Sequence, residues 1–305
     1  MKNRIILAGG SGFIGRSLSP LLLSKGYEVV VLTREPSHQA GAIRHVHWDG
    51  RKIDKWAEVL EGATAIVNLT GKNVNCRHTA KNRREILESR VNLVRVLGEA
   101  IATSTQPPEA FVQASGIAIY GDAGDRWCDE AAPNGAGFLA DVSRAWENAF
   151  DEVRARIMRK CLLRLGPVLG PHGGLLAPLA RLTRWFLGGH VGSGRQYFSW
   201  IHIVDLDHMF LRAIERDDIS GVFNAVAPNP VPNAEFMREL RLALHRPWNP
   251  PVPAFAAKMG ACLIGMDATL ALTGQRCLPK HFLETSFKFE FPELRPALAN
   301  ILANS

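Results

Sequence analysis

The chain has 305 residues, of which 47 % are hydrophobic and 21 % are charged, and its formal net charge is +7 at pH 7. This composition is typical of a globular protein with one or two domains, and no apolar run is long enough for a membrane span. The densest basic cluster, residues 81–84, is followed at once by Glu85 and then Glu88, so we expect no nucleic-acid partner and no membrane partner. Five cysteines without a C-x-x-C pair predict reduced thiols and a cytoplasmic location. The apolar run before the first glycines is too short for a secretory signal.

The first element is a strand followed by a glycine turn and a helix. The apolar run Ile5–Ala8 leads directly into the turn, where Gly10, Gly12 and Gly15 fit the G-x-G-x-x-G spacing of dinucleotide-binding proteins. Such a turn needs a positive φ, a close approach of the backbone to a pyrophosphate, and tight packing of the helix on the strand. The N–H groups at the start of the helix then face the anion. The predicted cofactor loop comprises Gly9, Gly10, Ser11, Gly12, Phe13, Ile14 and Gly15.

The second strand, Glu28–Leu32, predicts which dinucleotide binds. NAD-specific sites usually place an acidic residue at the end of this strand for the ribose 2′-hydroxyl, whereas an arginine accommodates a 2′-phosphate. Here Thr33 and Arg34 follow the strand, and a forked guanidinium suits a phosphate. Glu35 either orients Arg34 or turns toward the ribose itself. We therefore predict NADP(H) in preference to NAD(H).

Strand-like and helix-like segments continue to alternate along the first half of the chain. This alternation predicts an α/β fold with a doubly wound parallel Rossmann sheet and a smaller C-terminal substrate domain. Glycine and proline become frequent after Gly166, so residues 1–166 are predicted to form the Rossmann domain, with residues 199–226 returning to it. Residues 167–198 and 227–305 then form the smaller domain. The further predicted strands are 43–48, 63–69, 110–115 and 161–165, and the predicted helices are 53–60, 81–103 and 138–156.

Several longer motifs resemble one family of proteins along the whole chain. The motifs are GGSGFIGRSL near the start, NLTGKNV at 68–74, ESRV at 88–91, IYGDAGD at 119–125, LRLGPVLGPHGG at 163–174, GSGRQYFSWIHIVDL at 192–206 and the closing segment at 274–294. The chain resembles extended short-chain dehydrogenase/reductases, and more closely the YfcH-like epimerase family group of atypical members. That resemblance implies NADP(H) binding through the glycine loop, Thr33 and Arg34. It also implies cofactor contacts of Leu69, Thr70, Glu85, Arg90 and Val168.

The catalytic pair of the wider superfamily is missing from this sequence. Hydride transfer at a C–OH carbon needs a proton acceptor, which the superfamily supplies as a tyrosine with a lysine four residues later. The chain has three tyrosines, and none is followed by lysine at that spacing. The tyrosine position falls on Leu139 or Phe138, and the lysine position falls on Ser143 or Val142. None of these side chains restores the pair.

The remaining candidates for catalysis and substrate binding follow the fifth and sixth strands. Tyr120 is a candidate proton donor, substrate contact or structural hydrogen-bonding residue, and Ser115 is either the superfamily serine or a serine bonded to the backbone. Arg195 is a candidate ligand for an anionic substrate group. His202 beside Asp205 is interpreted as structural, and no histidine has metal-ligand spacing, so no metal is predicted.

Two functions remain open on the sequence. One is an NADP(H)-dependent epimerase or reductase of the nucleotide-sugar type, acting on a small substrate whose identity the sequence leaves open. The other is an NADP(H)-binding sensor or partner protein without turnover, which the missing pair motivates. The oligomeric state stays open, a homodimer included.

Overall fold

The structure is a computed structural model that describes residues 3–154, 158–171, 173–263, 267 and 269–303. Its strands are β1 Arg4–Ala8, β2 Glu28–Thr33, β3 His38–Ala40, β4 Ile43–His47, β5 Ala65–Asn68, β6 Ala110–Gly116, β7 Trp127–Cys128, β8 Arg159–Leu165, β9 Val168–Gly170, β10 Gly173–Gly174, β11 Tyr197–Phe198, β12 Ile201–His202, β13 Gly221–Ala225, β14 Val231–Pro232 and β15 Arg276–Cys277. Its helices are α1 Phe13–Ser24, α2 Ala80–Thr103, α3 Phe138–Asp151, α4 Leu176–Arg184, α5 Ile203–Glu215, α6 Asn233–Ala243, α7 Ala254–Leu263, α8 Thr269–Leu272, α9 Lys280–Glu284 and α10 Leu294–Ala303, with short 3₁₀ helices at Lys55–Leu60 and Ile117–Tyr120.

The main sheet confirms the predicted doubly wound α/β fold. Among the described residues it has eight strands in the order β13-β8-β6-β5-β1-β2-β4-β3. All neighbours pair parallel except β3, which runs antiparallel to β4 at the edge. β1 and β5 are buried along their whole length, as central strands of a sheet covered on both faces must be.

The order of the strands decides where the helices lie. The chain moves from β1 outward to β2 through α1, and from β5 outward in the opposite direction to β6 through α2. Right-handed crossovers in opposite directions place their helices on opposite faces of the sheet. α1 then packs on α5, and α2 packs on α3. Ligands in such folds bind where the strand order reverses, at the carboxyl ends of β1 and β5.

Two sequence predictions about elements need correction, and one strand was not predicted. Residues 55–60 form a 3₁₀ helix, not an α-helix, which suits a segment of only six residues. The helix predicted to run to Arg156 ends at Asp151, and Arg156 lies outside the described residues. The edge strand β3 was not predicted because its three residues are all exposed and carry no apolar pattern.

The later part of the chain adds one strand to the main sheet and three small sheets beside it. β13 pairs with β8, whereas β11 pairs with β14 and β15 pairs with β7. The Asp205 carboxylate on α5 accepts hydrogen bonds from the backbone N–H groups of Glu290 (2.7 Å) and Phe291 (3.0 Å), which ties the C-terminal segment to the core. The division into two domains stays a prediction.

Two further expectations concern reduced thiols and the lack of a membrane-spanning run. The thiols of Cys76, Cys128, Cys161 and Cys277 are free, and the side chain of Cys262 is outside the described set. In the part of the chain that the structure describes, every helix is too short or too polar to cross a bilayer.

Candidate cofactor-binding site

The glycine loop joins the buried strand β1 to helix α1 with almost no spare space. Gly9 has φ +78°, a left-handed conformation that L side chains rarely adopt. A Cβ built on Gly15 would lie 2.3 Å from the carbonyl oxygen of Gly10, so helix and turn pack directly against each other. These two glycines therefore fulfil the turn and packing requirements that the spacing predicted.

The third requirement, an open approach for a ligand, falls on Gly12. Among the described atoms, a Cβ on Gly12 would meet only the Gly9 carbonyl oxygen, at 3.4 Å. Gly12 is also the N-cap of α1 and makes no side-chain cap hydrogen bond. The first N–H groups of the helix lack intrahelical partners, and here no side chain satisfies them. Together these features form a cradle for an anion at the positive end of the helix dipole.

Arg34 lies at the end of β2 with its side chain exposed. Within the described residues its guanidinium has no hydrogen bond, ion pair or ring contact, and Glu35 does not engage it. The Thr33 hydroxyl accepts a hydrogen bond from the Glu35 N–H at 3.2 Å. A forked cation without a protein partner, directly after β2, has the chemistry to bind a phosphate.

Leu69 and Thr70 follow the carboxyl end of β5 and lie against the glycine loop. A Cβ on Gly9 would be 3.1 Å from both the Leu69 carbonyl carbon and the Thr70 nitrogen. The Asn68 amide oxygen accepts hydrogen bonds from the Thr70 N–H (3.1 Å) and hydroxyl (2.6 Å), which fixes this turn. The structure therefore brings the two predicted residues to the cofactor loop.

Glu85 and Arg90 on α2 hold the turn after β5 from its other side. Arg90 donates to the carbonyl oxygen of Lys72 at 3.0 Å and packs against Gly71. Its burial lowers the pKa of the guanidinium to about 10, so it stays charged at neutral pH. Glu85 forms an ion pair with Lys72, whose ammonium also donates to Asn82 at 2.8 Å. Sequence reasoning did not single out Lys72, although it follows the predicted strand within the motif NLTGKNV.

Val168 begins β9, where the chain leaves the main sheet after β8. β9 pairs parallel with β12, and Val168 lies opposite Ile201. The Phe13 ring occupies the space where Cβ atoms of Gly170 and Gly173 would be, at 2.8 Å and 2.4 Å. The start of α1 and the segment after β8 therefore pack together at one end of the site.

Ser115 and Tyr120 belong to a buried polar network between β6, α3, β8 and β13. The Ser115 hydroxyl donates to Glu147 at 2.8 Å, and Glu147 accepts from the Nε and Nη2 atoms of Arg164 at 3.0 Å and 2.8 Å. Arg164 also donates to the Tyr120 hydroxyl at 2.9 Å, and that hydroxyl lies 2.8 Å from the amide oxygen of Asn224. We call these five residues the buried network.

The surroundings of Tyr120 favour one of its three roles. The side chain is fully buried, and burial raises the pKa of its hydroxyl far above the usual value. The single proton of the hydroxyl has two oxygen acceptors within reach, that of Asn224 and the Asp129 carbonyl oxygen at 2.9 Å, and the hydroxyl oxygen accepts from Arg164. These contacts favour a structural role over proton donation or substrate contact. Ser115 likewise points at Glu147 inside the protein.

The α3 positions that correspond to the superfamily pair carry neither tyrosine nor lysine. Phe138 and Leu139 are both half-buried, and the guanidinium of Arg83 lies 4.8 Å from the centre of the Phe138 ring. Ser143 is buried, and Arg144 is engaged by Asp141 at 2.9 Å and by the Gly135 carbonyl oxygen at 2.9 Å.

Arg195 and His202, two other residues considered in the sequence analysis, make their contacts outside the cofactor loop. Arg195 is exposed, and its nearest acidic partner is Asp125 at 3.6 Å. His202 stacks on Phe291, and its Nδ1 accepts from the Val204 N–H at 3.1 Å. Within the described residues no group of three or more His, Cys, Asp or Glu side chains is arranged to hold a metal ion.

A doubly wound parallel sheet with an uncapped glycine loop after β1 defines the class of Rossmann dinucleotide-binding proteins. Comparison with known proteins places the chain within that class. Residues 5–225 match the NAD dependent epimerase/dehydratase family, and residues 252–301 match a domain of unknown function, DUF1731. The chain belongs to this epimerase/dehydratase family.

Relatives are similar over nearly the whole chain. Human epimerase family protein SDR39U1 is 35 % identical over 98 % of this chain and 100 % of its own length. Its crystal structure with NADPH has a TM-score of 0.89 over 99 % of this chain and 100 % of that one. A nucleoside-diphosphate sugar epimerase from Corynebacterium glutamicum is 32 % identical with a TM-score of 0.81, covering 100 % of this chain and 59 % of that one. The predicted family and fold are therefore confirmed.

Proposed function

We propose that this protein binds NADP(H) and acts as an epimerase or reductase of the nucleotide-sugar type. The assignment of NADP(H) rests on two observations: the Arg34 guanidinium has no partner among the described residues, and the loop at Gly12 has no side-chain cap. A phosphate at Arg34 and a pyrophosphate at the loop would both meet groups that the protein itself leaves unsatisfied. The NADPH in the human relative supports the same cofactor.

Different residues of the site would bind different parts of the cofactor. The first turn of α1 would bind the pyrophosphate, and Arg34 with the Thr33 hydroxyl would bind the 2′-phosphate. Leu69 and Thr70 would border the adenosine side, because Asn68 fixes their turn against Gly9. Glu85 and Arg90 would act through the turn at Lys72, and Val168 would lie near the nicotinamide. When bound, NADP(H) supplies a hydride donor or acceptor.

The test of the cofactor assignment is a comparison of NADPH and NADH in thermal melts. At equal concentration, a ligand that binds the native state more tightly stabilises it more, so NADPH should raise Tm more than NADH does. Arg34→Ala should erase the difference, because it removes the group that binds the 2′-phosphate. A loss of about tenfold or more in NADPH affinity is expected for one charge-assisted bidentate contact.

The matched control is Arg95→Ala on α2. Arg95 is also exposed, and it too has no side-chain partner in the described part of the chain. This variant should keep the preference for NADPH. Equal stabilisation of the unaltered protein by both cofactors would contradict the assignment to Arg34.

A second candidate function is binding of NADP(H) without turnover. It is favoured by the buried network, which engages Ser115 and Tyr120, and by the apolar start of α3. General acid–base assistance is worth about 10²–10⁴ in rate, so its absence from these positions would leave mainly binding.

Isotope transfer separates the two candidates. Deuterium-labelled NADPH is incubated with nucleoside-diphosphate ketosugars and with small aldehydes and ketones, because only a carbonyl carbon can accept the hydride. Transfer of label to any of them supports the epimerase or reductase. A protein that binds NADPH tightly in the melts and transfers no label supports the second candidate.

A further inference from the structure

Large apolar side chains are exposed mainly in two segments of the C-terminal part. Of twelve such residues among those described, eight belong to these two segments. The first segment is the end of α4, where Leu182, Trp185, Phe186 and Leu187 are exposed. Trp185 is 75 % exposed, which is far more than an indole retains when it packs on its own protein.

The second segment runs from the end of α6 into α7. Its exposed residues are Leu242, Trp248, Phe255 and Met259, with Trp248 at 74 % and Phe255 at 69 %. Phe255 and Met259 are four residues apart on α7 and therefore lie on the same face of that helix.

The two segments lie side by side, and together we call them the apolar patch. The Val252 N–H donates to the His190 carbonyl oxygen at 2.8 Å, and the Gly192 N–H donates to the Val252 carbonyl oxygen at 2.9 Å. The guanidinium of Arg246 in the second segment lies 5.2 Å from the centre of the Phe186 ring in the first.

The end of α4 holds an aromatic residue where glycine is favoured. Phe186 has φ +60°, and two backbone hydrogen bonds close the turn, from Phe186 to Thr183 at 3.1 Å and from Leu187 to Leu182 at 2.9 Å. This is the Schellman arrangement, in which the left-handed residue is usually glycine. A bulky exposed residue in that conformation is strained, which points to a use for its side chain outside the fold.

The charge of the patch has one sign. Residues 175–190 and 240–263 contain no Asp or Glu, and they carry the exposed cations Arg181, Arg184 and Lys258. No carboxylate of the described residues forms an ion pair with these three side chains. The patch therefore combines exposed aromatic and aliphatic side chains with unpaired positive charge.

This combination selects one occupant. A second copy of the chain on a two-fold axis would place the same cations against each other with no acid to pair them. A nucleic acid would use the aromatic rings for stacking, but not Leu182, Leu187, Leu242 or Met259. An anionic lipid surface uses all three features, because Trp and Phe enter the headgroup region, aliphatic side chains reach the acyl chains and basic residues bind the headgroups.

We propose that the apolar patch docks this protein on the surface of an anionic phospholipid bilayer. The expectation of no membrane partner rested on the lack of a spanning run, which a docking surface does not need. The docking is a property of the C-terminal part and does not depend on the proposed cofactor.

The test is co-sedimentation of the full chain with vesicles. Vesicles of equal parts phosphatidylserine and phosphatidylcholine should bind the protein, and vesicles of phosphatidylcholine alone should bind it much less. Trp185→Ser with Trp248→Ser should weaken binding at least about tenfold, because two large exposed side chains no longer enter the bilayer. Arg184→Glu should weaken it by about fivefold or more, since each basic residue near such a surface contributes about that factor.

Two controls separate docking from folding. Trp127→Ser removes an exposed tryptophan outside the patch, where Arg276 covers the ring at 3.9 Å, and should leave vesicle binding unchanged. Phe186→Gly should weaken vesicle binding while keeping or raising Tm, because glycine relieves the left-handed strain. The Tm shift caused by NADPH should be the same in all patch variants as in the unaltered protein.

Three outcomes would overturn the proposal. The first is equal binding to charged and uncharged vesicles, or none to either. The second is a concentration-dependent dimer, seen by analytical ultracentrifugation, that the double tryptophan variant abolishes. The third is displacement of the protein from vesicles by a single-stranded oligonucleotide that binds the unaltered patch but not the double variant.

Discussion

Two regions along the central sheet differ in whether their polar groups are satisfied. At β1 and β2, the first turn of α1 has no side-chain cap and Arg34 has no partner among the described residues. At β6, β8 and β13, Ser115, Tyr120 and Arg164 are engaged in the buried network. Unsatisfied polar groups at a surface are available to a ligand, whereas buried and satisfied ones stabilise the fold. Substitutions should therefore reduce ligand affinity in the β1–β2 region and reduce stability in the buried network.

The largest effect is expected from breaking the ion pair of the buried network. Glu147→Ala leaves the guanidinium of Arg164 buried without its carboxylate, which should lower the free energy of unfolding by about 3–5 kcal/mol. Urea denaturation followed by circular dichroism measures the loss. Asp141→Ala on the same helix removes an exposed ion pair with Arg144 and should cost less than about 1 kcal/mol. Equal losses in the two variants would show that the buried ion pair stabilises the fold no more than an exposed one.

A pH effect is expected behind the cofactor loop, where α1 packs on α5. Burial raises the pKa of Asp207 to about 7, although a hydrogen bond from Ser17 at 2.5 Å acts in the opposite direction. The native protein therefore keeps a proton that the unfolded chain releases near pH 4, so stability should fall as pH rises from about 4 to 7. A pKa difference of about three units sets an upper limit of about 4 kcal/mol.

The variant that isolates this effect is Asp207→Asn. The difference in unfolding free energy between it and the unaltered protein should change between pH 4 and 7 and stay constant above pH 7. Burial lowers the pKa of His202 to about 4, so its contribution to the pH dependence of stability has the opposite sign. That contribution is present in both proteins and cancels in the difference. A difference that does not vary with pH would contradict the raised pKa of Asp207.

A matched pair of glycine substitutions in the loop after β1 should separate effects on folding from effects on ligand binding. Gly15→Ala places a methyl group 2.3 Å from the Gly10 carbonyl oxygen and should cost about 1–3 kcal/mol of stability as well as NADPH binding. Gly12→Ala has room in the protein and should keep its Tm, yet its methyl group would block the approach of the pyrophosphate. Melts with and without NADPH measure both properties. Normal NADPH binding by Gly12→Ala would contradict the assignment of the open face.

Tyr120→Phe should change stability by no more than Gly15→Ala does, and it should leave hydride transfer unchanged. It removes the hydroxyl that accepts from Arg164 and lies against Asn224, which should cost about 1–3 kcal/mol of stability. Deuterium transfer from labelled NADPH, measured below the melting temperature, should persist wherever the unaltered protein shows it. Loss of transfer in a folded Tyr120→Phe variant would return Tyr120 to the role of proton donor.

The sequence by itself determined the elements whose signals are local. The buried runs of β1 and β2, the spacing of Gly10, Gly12 and Gly15, and the arginine after β2 are read directly from neighbouring residues. They predicted the sheet, the turn and the cofactor because strand burial and turn geometry depend on residues a few positions apart. The missing tyrosine and lysine on α3 were visible for the same reason.

Only the tertiary structure decided what the remaining polar residues do. Tyr120, Glu147, Arg164 and Asn224 are separated by up to 104 positions and form one network because α3, β8 and β13 converge there. The apolar patch likewise joins the end of α4 to the start of α7, which no local pattern reveals. Long-range contacts of this kind depend on how the strands are ordered in the sheet. No short stretch of sequence determines that order, because it results from the packing of the whole fold.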